Sequence, residues 1–375
     1  MLDLAIAICQ TRAMPNKRRS RSEVDDSSRQ RSPISLKQLA GHLGLSPTAV
    51  SLVLNESPLA SSIPDATKKR IIDAARGLQY RPNLVARSLR AQRSFTVGVM
   101  VPELSDGYSA MVLSGVEDHL FREGYFSLVA SHRHEQNLIE HYPDLFFQRR
   151  VEGLIAVDTP YDRRLPIPVV AVSGEHDRDG VSTVKLDHDR AAVLALQYLK
   201  RLGHRRIAYF KGQTFSSDTG LRWQAIERQA RALGIEVLPD LVAQLEGDSP
   251  SPELGYVAAR KLLDNGAEFT ALFAFNDVSA IGAIRAFREV SLRVPEDISV
   301  IGFDDIYNAA FFSPALTTIR QPLKEMGRLA AELVLRRISN SRLECPRELV
   351  VKPDLIIRQS TCAESRLRTK SGREP

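Results

Sequence analysis

The spacing of apolar residues divides the chain into two unlike parts. Over residues 35–79 it has a helical period in three short stretches. Leu36, Leu39, Ala40 and Leu43 fall on one face of the first, and Ser35 with Gln38 makes a capping box at its start. Gly44 supplies a left-handed turn residue after it. Ser46 caps a second helix with Pro47 in its first turn, and Ala49, Val50, Val53 and Leu54 form its apolar face. A third begins near Pro64 and runs through Ile71, Ile72, Ala75 and Leu78. Helical pairing then stops at Tyr80-Arg81-Pro82, because proline has no N–H to give.

From Thr96 onward the pattern changes to short apolar runs alternating with amphipathic stretches. Val97–Val101, Ser127–Ala130, Gly153–Val157, Val169–Val172, Ile207–Phe210, Ala271–Phe275 and Ser299–Gly302 read as strands. Residues 109–123, 189–202, 220–233, 254–265, 277–290 and 323–338 read as helices. Alternation of this kind predicts parallel sheets covered on both faces. Two such units give two doubly wound lobes with a cleft at the carboxyl ends of their strands.

Charge sharpens this division. Residues 1–93 hold 16 of the 51 Lys and Arg but 7 of the 45 Asp and Glu, leaving 35 against 38 for the rest. The whole surplus behind the net charge of +6 therefore lies in the N-terminal quarter, the part that phosphate backbones would attract. Residues 1–33, rich in Ser, Arg and Asp, read as a disordered basic arm, and Met14 offers a second initiation point. Cys9, Cys345 and Cys362 are too few and too scattered for a disulfide framework or a zinc site. No apolar run approaches the roughly 18 residues that span a membrane, and the opening segment lacks the basic start of a signal peptide. The expectation is a cytoplasmic protein.

Residues 35–55 fit a helix, a tight turn and a second helix, an arrangement that enters the major groove. There Ser46, Pro47, Thr48 and Ser51 would reach base edges. Leu39-Ala40, Gly44-Leu45-Ser46, Ala49-Val50-Ser51, Val53-Leu54-Asn55, Tyr80-Arg81-Pro82-Asn83 and Ala86-Arg87-Ser88-Leu89 together resemble the headpiece and linker of the lactose/galactose repressor (LacI/GalR) family. The resemblance continues to about residue 358. It implies a small all-α helix-turn-helix headpiece on a periplasmic-binding-protein-like α/β core of two doubly wound lobes. By the same resemblance Ser35 and Leu36 match positions at the start of the first helix, Pro47, Thr48 and Ser51 match recognition positions, and Asn55 approaches the backbone. Leu52 stands where many relatives place a base-reading Arg or His, and a leucine can contact a thymine methyl but cannot pair with guanine. Residues Asn83–Arg90, including Ala86, resemble the family's hinge helix. Leu89 matches its minor-groove wedge, and Arg87 and Arg90 would lie near phosphates.

In the core, Arg222 matches the family's sugar-clamping arginine and Asp277 its effector-binding aspartate, the latter facing the cleft mouth. Asp106, Tyr108 and Asp158 follow early strands, where a cleft role and ordinary loop polarity are both open. Gln321, in the crossover segment Ser313–Gln321, is a further cleft candidate. Ser249 stands where several relatives carry an aromatic residue that packs on the ligand. Ile301-Gly302-Phe303-Asp304-Asp305 resembles a family signature, which makes the adjacent carboxylates a structural loop. There is no Gly-x-Gly-x-x-Gly, P-loop or nucleophile elbow, and His132 and His134 read as surface histidines without a metal set. Neither an enzyme nor a cofactor is expected.

The implied organisation is an arm (1–33), a headpiece (34–80), a hinge and linker (81–93), a core (94–360) and a disordered tail (361–375). The first lobe would hold about 94–172 and 322–345, the second about 173–321 and 346–360. The function implied is a sequence-specific repressor binding a pseudo-palindromic operator as a homodimer or higher oligomer. A sugar or sugar derivative bound between the lobes would control it. A purine or protein corepressor, or a solute sensor without a DNA role, is the alternative.

Overall fold

The computed structural model describes residues 34–55, 57–80, 92–105, 107–160, 165–174, 181–248, 251–340 and 345–364. The chain divides into two units, the first ending at Arg87 and the second beginning at Ser88.

In the first unit, α1 (Leu36–Leu43), α2 (Pro47–Leu54) and α3 (Asp65–Gly77) enclose a core of Leu39, Ala40, Val50, Val53, Ile71 and Ala75. The capping box is present, with the Ser35 hydroxyl accepting from the Gln38 N–H at 3.3 Å and the Gln38 side chain accepting from the Ser35 N–H at 2.8 Å. Gly44 ends α1 at φ 66°, a conformation that a side chain would strain. The Ser46 hydroxyl then accepts from the Ala49 N–H at 3.1 Å and starts α2. A 3₁₀ turn over Pro58–Ser62, which the apolar spacing does not reveal, joins α2 to α3.

The second unit carries two six-stranded sheets. In the first lobe β1 (Thr96–Val101), β2 (Phe126–Ser131), β3 (Gly153–Val157), β4 (Val169–Val172), β5 (Val181–Leu186) and a late strand β11 (Glu348–Val351) lie in the order β11-β5-β4-β3-β1-β2, all parallel. Helices α4 (Gly107–Arg122), α5 (Gln136–Gln148) and α11 (Leu323–Ser339) belong to this lobe. The second lobe holds β6 (Ile207–Lys211), β7 (Val242–Gln244), β8 (Ala271–Phe273), β9 (Ser299–Asp304), β10 (Thr317–Arg320) and β12 (Asp354–Ile356), in the order β12-β10-β9-β8-β6-β7. Only β12 runs antiparallel among the pairs of that sheet. Its helices are α6 (His188–Arg201), α7 (Thr219–Leu233), α8 (Glu253–Asp264), α9 (Asp277–Glu289) and the short α10 (Tyr307–Phe311). Strands such as β3, β4 and β9 are buried along their whole length, as strands covered on both faces must be.

Three boundaries differ from the sequence reading. β5 pairs with β4, so the first lobe runs on to Leu186 instead of ending at residue 172. β11 pairs with β5, which puts residues 348–351 in the first lobe as well. Both strands mix polar with apolar residues and give no continuous apolar run. The expected tail begins too early: residues 361–364 are tied to the second lobe, with the Cys362 N–H donating to the Ser299 hydroxyl at 3.0 Å and the Glu364 N–H to the Leu202 carbonyl at 2.8 Å.

In each lobe one helix pair meets at glycines. On α4 a Cβ at Gly115 would overlap the Lys324 carbonyl, and one at Gly327 on α11 would overlap the Val112 carbonyl. On α8 and α9, Gly255 stands against the Ser279 carbonyl and Gly282 against the Pro252 carbonyl in the same way. The backbones touch directly, which holds each helix pair at a fixed distance beneath its sheet.

Candidate functional site

The headpiece presents the first turn of α2. Ser46, Pro47 and Thr48 are exposed, while Ser51 and Leu52 are half-buried. Ser51 is engaged by Asn55, whose amide donates to the Ser51 carbonyl at 2.7 Å and to its hydroxyl at 3.1 Å, bracing the end of the helix. Leu52 and Leu36 pack partly against the headpiece core, so much of each side chain has a structural use already. Ser35 spends its hydroxyl on the capping box. Asn83, Ala86, Arg87, Leu89 and Arg90, with Asp106 and Ser249, lie outside the described residues.

In the core, the carboxyl ends of strands from both lobes face one cavity of about 860 Å³, counted with its open mouth. The first lobe contributes Glu103 after β1, Tyr108 on α4, His134 after β2 and Asp158 after β3. The second lobe contributes Phe215 and Asp218 after β6, Arg222 on α7, Phe275 and Asn276 before α9, and Asp304 at the end of β9.

Hydrogen bonds cross between the lobes beside this cavity. The Asp158 carboxylate accepts from the Ser217 N–H at 2.8 Å, the Ser217 hydroxyl at 2.6 Å and the Ser216 hydroxyl at 3.3 Å. Burial, reinforced by the Asp218 charge, raises its pKa above the usual carboxylate value. Asp218 accepts from the Gly174 N–H at 2.9 Å, at the end of the first lobe's β4 segment. Burial alone would raise the Asp218 pKa, but the approach of His188 at 3.4 Å and of Arg222 at 3.5 Å, with the Gly174 N–H, brings it well below the ordinary value. His188 Nε2 stands 3.4 Å from the Asp218 carboxylate without hydrogen-bond geometry. Tyr108 shares a short hydrogen bond with the Ser173 hydroxyl, and burial drives its phenol pKa well up.

Arg222 is 5% exposed. Its guanidinium carbon lies 4.3 Å from the Phe275 ring centroid and 3.7 Å from that of Phe303. Nη1 donates to the Phe275 carbonyl at 2.5 Å, whereas Nε has no partner.

The structure thus brings Tyr108, Asp158 and Arg222 to one cavity and corrects two other readings. Asp277 does not face the cleft mouth: it is fully buried, accepting from the Ile306 N–H at 2.9 Å and the Thr318 hydroxyl at 2.5 Å. Burial, with Asp304 nearby, raises its pKa well above normal. Its position in the first turn of α9 turns its carboxylate back under the strand ends, while the preceding cap residue, Asn276, lines the cavity. Gln321 stands behind the cavity wall and donates to the Asp304 carboxylate at 2.6 Å, so it is Asp304 that reaches the cavity. Asp304 has φ 108°, a conformation rare for a residue with a side chain. The neighbouring Asp305 binds Arg320 and Arg358, each at 2.6 Å, which makes it the structural member of that pair. The sequence reading quoted both Asn276 and Asp304 within motifs but assigned neither to the site. Phe215 and Asp218 carry no local signal in the sequence, and His134, read as a surface histidine, lines the cavity instead.

The histidines also depart from expectation. His132 is buried, with Nε2 donating to the Thr159 hydroxyl at 3.0 Å and Nδ1 accepting from the His134 N–H at 3.1 Å. Burial, and to a lesser extent His134, lower its pKa to about 4. The unfolded chain takes up this proton near pH 6.5 and the folded chain only near 4. His132 should therefore cost stability as pH falls through that window, with a slope of at most about 1.4 kcal/mol per pH unit. Urea denaturation at pH 7, 6 and 5 checks this, and His132→Gln should flatten the dependence. An unchanged slope in the variant would reject the assignment. His134 is half-buried and packs on Phe215, with ring centroids 3.9 Å apart. Among the described residues no group of three metal-ligating side chains occurs, and no helix is long and apolar enough to cross a membrane.

A three-helix headpiece with an exposed helix start, followed by two parallel-sheet lobes around one cleft, defines a helical headpiece joined to a periplasmic-binding-protein-like core. Residues 196–361 match the family model described as a periplasmic binding protein-like domain. The chain is 34% identical over 334 residues to the HTH-type transcriptional repressor PurR of Photorhabdus laumondii, covering 87% of this chain and 96% of that protein. A structure of the lac repressor dimer bound to operator and the anti-inducer ONPF superposes with a TM-score of 0.75 at 24% identity, covering 88% of this chain and 100% of that one. The complex of the transcriptional regulator CelR with cellobiose gives 0.65 at 28% identity, covering 87% and 99%. This chain belongs to the LacI/GalR family of transcriptional regulators, and is not an enzyme.

Proposed function

We propose that the protein is a repressor that binds a pseudo-palindromic DNA operator as a homodimer or higher oligomer and releases or tightens its grip when a small effector enters the core cavity. The observation that carries this reading is the pair of carboxylates, Asp158 and Asp218, each hydrogen-bonded across the two lobes at the cavity edge. A ligand seated between the lobes competes with or completes those bonds, and so biases closure. The first turn of α2 then reads base edges through Ser46, Pro47 and Thr48. The segment with Asn83, Ala86, Arg87, Leu89 and Arg90 acts as a hinge whose Leu89 wedges into the minor groove. A coupling of about 1–3 kcal/mol between the sites is enough to change operator occupancy severalfold.

The effector is a sugar or sugar derivative. Arg222, held flat by two rings and with Nε free, suits hydroxyl oxygens, and the related CelR was solved with cellobiose. A purine is the second reading, favoured by the aromatic residues Phe275, Phe215 and Tyr108 in the cavity wall. Footprinting of the purified protein on its own upstream DNA, titrated with sugars and purines, tests the proposal. A protected palindrome whose occupancy changes with one ligand is the expected result. A folded protein that binds a small molecule yet protects no DNA would overturn it.

A further inference from the structure

The charges lining the cavity point to one subclass of effector. Among the described residues five carboxylates face it, Glu103, Asp158, Asp218, Asp248 and Asp304, against one guanidinium, Arg222. Asp218 lies 3.5 Å from Arg222, so the arginine's charge is already answered inside the protein. Asp158 accepts only from neutral hydroxyls and an N–H. Asp304 accepts from the Gln321 amide at 2.6 Å, among its interactions. Glu103, from the first lobe, and Asp248, from the second, have no ion-pair partner among the described residues, and both act electrostatically on His134. Burial lowers the His134 pKa, so at neutral pH the imidazole supplies no balancing charge.

Among the described residues an anionic ligand would find no free charge in this field to neutralise it, whereas a cation would meet carboxylates from both lobes. The buried Arg222 Nε, a donor without an acceptor, independently calls for an oxygen on the ligand. We infer that the effector is a polyhydroxylated amine, an amino sugar or iminosugar, with its hydroxyls toward Arg222 and its ammonium toward Glu103 and Asp248. This rests on the proposal that the cleft binds a sugar-like effector, and narrows it by excluding phosphorylated and carboxylated sugars.

Calorimetric titration of the full chain at pH 7 with glucose, galactose, their 2-amino and 6-phosphate derivatives and 1-deoxynojirimycin tests the inference. At least one amine is expected to bind about tenfold or more tightly than its neutral parent, and the phosphates more weakly than either. Glu103→Gln with Asp248→Asn should bring the amine down to the affinity of the parent. A neutral or phosphorylated sugar that binds as tightly as its amine, an unchanged preference in the double variant, or no heat from any amine at millimolar concentration would overturn it. Footprinting on the same preparation separates the two levels. A protected operator with the wrong ligand preference defeats only the amine assignment, and no protected operator defeats the regulator reading.

Discussion

Gly115→Ala is expected to destabilise the core by about 2–3 kcal/mol, although alanine in an exposed helix interior would gain up to about 1 kcal/mol over glycine. The sign reverses because the new Cβ would sit inside the Lys324 carbonyl, a backbone atom that no rotamer change can move aside. Relief requires α4 and α11 to separate, and between them lie Val112, Val116, Met326, Ala330 and Leu333, all in the first lobe's core. Gly282→Ala should do the same in the second lobe, where its Cβ would meet the Pro252 carbonyl. By contrast Gly220→Ala, with nothing near its Cβ, should change stability by less than about 0.5 kcal/mol. Urea denaturation of the three variants distinguishes these outcomes. If Gly115→Ala is neutral or stabilising, the direct backbone contact is wrong.

Those glycines show where sequence reasoning stops. The apolar period places α4, α8, α9 and α11 within two residues of their observed limits, because each has one face that must be buried. Which glycine touches which backbone depends on two helices distant in sequence, such as Gly115 and Lys324. The strands that were legible, β1, β3, β4 and β9, are buried apolar runs, whereas β5 and β11 carry polar side chains and depend on neighbours for their place. α5 was hidden for another reason. Pro143 sits within it, and proline ordinarily ends a helix, but here the ring is buried beside Ile139 and Phe146 and the helix continues to Gln148.

At the start of α9 the site was legible to within one residue. Phe275-Asn276-Asp277 marks a strand end running into a helix, but the capping geometry decides that Asn276 faces the cavity and Asp277 the interior. His132 looked like a surface residue because it follows a strand end and is flanked by Ser131, Arg133, His134 and Glu135, all polar. Its hydroxyl partner, Thr159, comes from the next strand end of the sheet, 27 residues away.

Arg222→Leu should have two effects of separate origin. Leucine fills part of the slot between Phe275 and Phe303 but leaves Asp218 buried with only His188 and the Gly174 N–H. Removing one partner from a buried charge pair costs about 3–5 kcal/mol, most of it from the charge left behind. If that account is right, Asp218→Asn added to Arg222→Leu should recover at least about 1 kcal/mol, since the stranded charge is gone. Purely additive losses in urea denaturation would show that the two side chains do not form a pair. Arg222→Lys separates stability from recognition, because lysine keeps a positive charge near Asp218 yet lacks the planar fork and the Nε donor. It should retain much of the stability while weakening the response of operator binding to effector by tenfold or more, about 1.4 kcal/mol. A lysine variant with an intact effector response would mean that Arg222 serves the cavity only as a charge. The arginine's geometry would then have no part in reading the ligand.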